Sequence, residues 1–163
     1  MQITIESRPA TLAELDATAP DMMQRPEGTA ALLIAALMRF VEDRDAGTAM
    51  LNYLQGPRPL SEMDAQFIAD RLSDKTYLPA AYGIGATPDN AYTPQAPLRI
   101  EVLPDPNFTE GDETARVFVA TAGADSPRPV TLRRKRSGST WYAWEYASLL
   151  SGIRTPTEAD PWA

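Results

Sequence analysis

The spacing of hydrophobic positions changes character twice along the chain. Through the first seventy or so residues the apolar positions recur every three or four places, the helical period. From Leu98 onward they alternate with polar ones, the strand period. Thr11 followed by Glu14 matches a capping box, which predicts a short helix to about Thr18, stopped by Pro20. Pro26 and Glu27 suit the first turn of a second helix, running to about Asp43. Its middle, Ala30 to Met38, is apolar on every face, so it belongs in the centre of a domain or in an oligomer interface. The central position is preferred, because other elements have faces to bury against it.

A third helix is predicted from about Ala46 to Leu54, with Met50, Tyr53 and Leu54 on one side, ended by Gly56-Pro57. Ser61 caps a fourth, with Asp64 in its third position, and Met63, Phe67, Ile68 and Leu72 form its expected core stripe. From Tyr77 to Pro97 no period emerges. Gly83-Ile-Gly85 and Pro88-Asp-Asn90 signal turns, and Tyr77, Tyr82 and Tyr92 favour an ordered loop packed by its own aromatics.

Ile3-Thr-Ile5 suits a short edge strand, and Leu98–Leu103 and Ala115–Thr121 alternate as strands bounded by turn residues. Pro129 to Tyr146 is a hairpin, one strand basic and one aromatic. A two-residue loop would put Val130 and Leu132 on the face of Trp141 and Glu145. A three-residue Ser137-Gly138-Ser139 loop sets them opposite Tyr146 and Trp144. Register follows the face that must be buried, which favours the second. Val130, Leu132, Tyr142, Trp144 and Tyr146 are then core, and Thr131, Arg133, Lys135, Trp141, Ala143 and Glu145 are wet. The closing stretch from Thr155 is too polar for a helix, and its Trp162 is expected to fold back onto the body.

Helices followed by antiparallel strands define the α+β class: a helical N-terminal half packed on a C-terminal antiparallel sheet of about four strands. No linker divides the chain, so residues 1–163 are expected to form one domain. Residues 10–75 would be helical, 76–97 the ordered loop, 98–147 the strands and 148–163 a tail. A chain of 163 residues suffices for one such core.

Composition narrows the functional classes. The chain has no cysteine and no histidine. That removes disulfides, thiolate nucleophiles, the commonest transition-metal ligand and the commonest general base near neutral pH. An enzyme is disfavoured, and no catalytic, cofactor-binding or metal-ligating set is assigned. A net charge of −7 argues against nucleic-acid and anionic-membrane partners. The start has neither the basic flank nor the apolar run of a signal peptide, and Ala30 to Met38 is too short to span a bilayer, so a cytoplasmic protein is expected. Oligomeric state is not legible.

The wet hairpin face holds the concentrated surface chemistry: Trp141 opposite Lys135, with Arg133 and Glu145 beside them. Cation–π stacking is available there, exposed tryptophan beside arginine is typical of binding hot spots, and Glu145 has an ion-pair partner in Arg133. The plainer alternative is a solvated strand whose basic stems cover a tryptophan. Asp105, Glu110, Asp112 and Glu113 lack the ordered spacing of a calcium loop and read as a solvated turn. No G-x-S-x-G, P-loop or dinucleotide fingerprint occurs.

Several segments together resemble an uncharacterised bacterial family, the domain of unknown function 6935. They are Glu27–Leu32, Leu51–Leu60, Gly85–Pro94, Gly123–Val130, Trp141–Tyr146, Ser151–Arg154 and Asp160–Trp162. The resemblance implies a single bacterial domain and carries over no activity, cofactor or site residue. The functional expectation is a non-catalytic protein-interaction module, as an adaptor, accessory or immunity-like factor would be, with Trp141, Arg133, Lys135 and Glu145 as its partner-binding face. The alternatives are a small-ligand domain with a nuclear-transport-factor-2-like cone, and behind it a hydrolase working on carboxylates alone.

Overall fold

The computed structural model describes residues 1–163. Strand β1 (Gln2–Ile5) precedes four helices, α1 (Leu12–Met22), α2 (Pro26–Glu42), α3 (Arg44–Gln55) and α4 (Glu62–Leu72). Strands β2 (Leu98–Leu103), β3 (Thr114–Val119), β4 (Arg128–Arg134) and β5 (Trp141–Glu145) follow. All pairings are antiparallel and the sheet order is β1-β2-β3-β4-β5. The architecture is α+β, the helical half packed on the C-terminal strands, with Ile3-Thr-Ile5 extending the sheet at its edge.

Helix α2 is the centre of the molecule. Every residue from Glu27 to Leu37 is buried, and the helix touches all five strands. A helix apolar on all sides needs partners on all sides. The sheet supplies one, and α1 and α3 supply others. α3 approaches closely at Gly47, where an added Cβ would lie 2.2 Å from the Phe40 Cα. Asp43 starts α3 by accepting the Ala46 N–H at 3.1 Å, and Ser61 with Asp64 forms the capping box that starts α4. No helix is long and apolar enough to cross a membrane.

Three local expectations are corrected. Pro20 does not stop α1, which continues to Met22; the lost amide falls in the last turn, and the Met23 N–H still reaches the Ala19 carbonyl at 2.8 Å. The α4 stripe is only half core. Ile68 and Leu72 are buried, whereas Met63 is 81% and Phe67 40% exposed, because α4 lies at the rim beside the turn Ala147–Leu150. Trp162 does not fold back and is 93% exposed. The last side-chain anchor before it joins Thr157 Oγ1 to Asp89 at 2.6 Å.

The tyrosine-rich stretch is held by its own rings. Tyr77 and Tyr92 stack with centroids 5.5 Å apart. The Tyr82 hydroxyl donates to the Leu149 carbonyl at 2.7 Å, and that of Tyr92 to the Arg154 carbonyl at 2.6 Å. These bonds also fasten the chain after β5. The outward edge of β5 is closed as well. The Trp141 N–H donates to the Met23 carbonyl at 2.8 Å, Thr29 Oγ1 donates to the Trp141 carbonyl at 2.8 Å, and Arg58 bonds the Trp144 carbonyl.

Candidate functional site

The hairpin departs from a simple ladder at one residue. Thr131 lies opposite Glu145, as a three-residue loop requires, but Leu132 lies opposite Ala143. Trp144 is the extra residue of a β-bulge. Nearer the turn every β5 side chain is therefore shifted to the other face. Trp141 and Ala143 point into the core, and past the bulge Tyr146 does so too. Tyr142 and Trp144 are half-buried instead of core.

This overturns the expected placement of Trp141. It is 4% exposed, meets Phe108 edge-on at 5.7 Å, and carries the Arg134 guanidinium 5.4 Å above its ring. Lys135 does not pair with it. Nor does Glu145 take part in any ion pair with Arg133, whose guanidinium goes to an aromatic ring instead.

That ring belongs to Trp144, which occupies the outward position expected for Trp141. The Arg133 guanidinium lies 4.3 Å from the Trp144 centroid and that of Arg58 lies 3.7 Å from it. Arg58 also donates to the Trp144 carbonyl at 2.6 Å. Its loop is placed by Gly56, whose φ of +59° favours glycine and where a Cβ would strike the Tyr142 ring at 2.4 Å. Gln55 then links loop to core. Its amide donates to the Arg58 carbonyl at 2.8 Å, while its oxygen accepts the buried Tyr146 hydroxyl at 2.5 Å. Burial raises the Tyr146 phenol above its ordinary value, which keeps this donor protonated further into alkali.

Beside this cluster a groove of about 680 Å³ runs between α4 and the outer side of β3–β5. Its lining includes the apolar Leu60, Phe67 and Ile68, the cations Arg58 and Arg116, the Trp144 ring and the carboxylate of Asp64, which is held in the α4 capping box. Glu145 reaches the same groove, while Arg133 and Lys135 line a smaller hollow on the other side of Trp144. None of Arg58, Arg116, Arg133 and Lys135 has a carboxylate within ion-pairing distance. The face can therefore offer cations and flat apolar area to an acidic partner.

Of the four residues expected to bind a partner, the structure brings Arg133, Lys135 and Glu145 to the outer surface and removes Trp141 from it. Trp144, Arg58 and Arg116 belong to the face and were not anticipated. Trp144 carried a signal, as the second indole of the same strand. Arg58 carried none, since it reaches Trp144 across 86 residues. The acidic run serves local structure: Asp105 accepts the Asn107 and Arg116 N–H groups at 2.8 Å, Asp112 accepts that of Thr109, and Glu113 pairs with Arg136 at 3.0 Å.

A family model described as a domain of unknown function (DUF6935) matches residues 7–157. No curated protein and no solved structure matches the chain.

Proposed function

We propose that this chain, which belongs to the DUF6935 family, is a non-catalytic protein-interaction module that docks an acidic, partly apolar segment of another protein. One observation carries the reading. In a chain of net charge −7, two guanidiniums converge on one half-exposed tryptophan, and no carboxylate pairs with either. Arginine on an indole at the edge of an apolar groove is the composition of binding hot spots. Unneutralised cations on an acidic body select for the opposite charge. Arg58 is positioned beforehand by Gly56 and Gln55, which lowers the entropy lost on docking.

The test is selection from a displayed random-peptide library against the immobilised protein, with the Arg58→Glu/Arg133→Glu double variant as counter-selection. The expected result is enrichment of sequences that intersperse Asp or Glu with apolar residues. Their binding should weaken at least about tenfold on the double variant, as loss of charge complementarity across an interface implies. Failure to enrich any sequence, or equal binding to both proteins, overturns the reading. A groove of about 680 Å³ also suits a small molecule, since ligand pockets span roughly 300–1,000 Å³. A compound that raises the melting temperature of wild type but not of Trp144→Ala would favour that second reading.

A further inference from the structure

A second cleft lies away from the hairpin's outer face, where the start of α2 meets the loop between β2 and β3. It holds about 390 Å³ and has Glu27, Phe108 and Trp141 in its wall. Glu27 is the second residue of α2 and is only 9% exposed, yet it makes no side-chain hydrogen bond and joins none of the ion pairs. Neither of its oxygens is among the fully enclosed unpartnered polar atoms, so the carboxylate touches the space of the cleft.

The neighbouring charges are engaged elsewhere or stand in solvent. Arg134 donates to the Asp112 carbonyl at 2.7 Å, and the Met1 amino group to Glu101 at 3.2 Å and to the Val102 carbonyl at 3.0 Å. Asp105 is occupied by two backbone N–H groups, and Arg25 and Glu110 are exposed.

The residue is largely buried while its carboxylate faces the cleft with no side-chain partner, so a cation that enters there meets an uncompensated counter-ion. The rings beside it determine which cation suits. Phe108 is 41% exposed at the mouth, Trp141 lies behind it, and the Arg134 guanidinium over Trp141 shows that this ring already accepts positive charge. We infer that the cleft binds a protonated primary amine carried on an aromatic body, with Glu27 as counter-ion and Phe108 and Trp141 as the apolar wall. The site is independent of the Arg58–Trp144–Arg133 face.

The test is a titration of the ¹⁵N-labelled full chain with 2-phenylethylamine at neutral pH, following the three tryptophan indole signals. The Trp141 signal is identified from a Trp141→Phe sample. A saturable shift of the Trp141 indole is expected, with an apparent affinity at least tenfold tighter than for the uncharged isostere 2-phenylethanol. Glu27→Gln should abolish this preference while leaving the rest of the spectrum in place. Absence of a saturable shift, equal response to amine and alcohol, or an unchanged preference in Glu27→Gln would each overturn the assignment. The amine–alcohol comparison on wild type decides the matter even if the variant does not fold.

Discussion

Arg58 engages Trp144 twice, donating to its carbonyl at 2.6 Å while its guanidinium carbon rests 3.7 Å from the centre of the same residue's ring. The bulge residue is thus clamped through backbone and side chain from a loop 86 positions earlier. Backbone clamping fixes where the ring stands, and the stacked charge determines what it attracts.

The two hairpin tryptophans should behave as opposites. Trp141→Ala opens a large cavity in the core and is expected to cost about 3–5 kcal/mol. Trp144→Ala removes a half-exposed ring and its cation–π contacts, for a loss of about 1 kcal/mol, while abolishing binding of any selected acidic peptide. Urea unfolding monitored by far-UV circular dichroism checks the first contrast and peptide titration the second. Equal destabilisation by both substitutions would refute the assignment of inner and outer faces.

Gly56→Ala should act on both stability and binding. The new methyl meets the Tyr142 ring, and the residue is held at a φ of +59°. A loss of about 1–3 kcal/mol is expected from strain of this kind, with weaker peptide binding because Arg58 is displaced from Trp144. Unchanged unfolding midpoints and affinities would contradict the proposed role of this turn.

Thr29→Val removes the donor to the Trp141 carbonyl but keeps the shape of a side chain that is fully buried. Leaving that carbonyl unpaired is expected to cost about 1–3 kcal/mol. Thr48→Val, on a partly exposed position, should cost less. Thermal melts of the two variants side by side provide the comparison.

Stability should fall in alkali for a reason located in four phenols. Burial raises Tyr82 and Tyr146, and also Tyr92 and Tyr53, the last to about 12 with help from its bond to Asp16. A group whose folded pKa lies above its unfolded value of about 10 contributes fully below that value. The contribution is lost as pH rises through the folded pKa. Urea midpoints are expected to stay level to about pH 9 and to drop steadily above about pH 10. Tyrosinate absorbance at 295 nm should appear for these four groups together with unfolding. Their titration at an ordinary value in the folded state would show that the rings are accessible.

Much of the fold was legible because local chemistry and burial agreed. The all-apolar run from Ala30 to Met38 allowed only a central helix once other faces needed covering. Ser61 with Asp64 marked the start of α4, and Tyr77, Tyr82 and Tyr92 marked an ordered loop. What escaped was non-local. A bulge at Trp144 leaves no trace in an alternating pattern, because Trp-Tyr-Ala-Trp-Glu-Tyr fits either phase of a strand. One inserted residue exchanged Trp141 for Trp144 on the surface. Arg58 lay in a proline-flanked loop whose destination only the tertiary structure reveals. Met63 and Phe67 followed the period of a core stripe, yet α4 sits at the rim, where half of such a stripe stays wet.

Closing the outward edge of β5 with Met23, Thr29 and Arg58 has a consequence for self-association. A sheet that can grow from only one border can join head to head once and must then stop. Extension of native copies through the β5 border first requires breaking the contacts of Met23, Thr29 and Arg58.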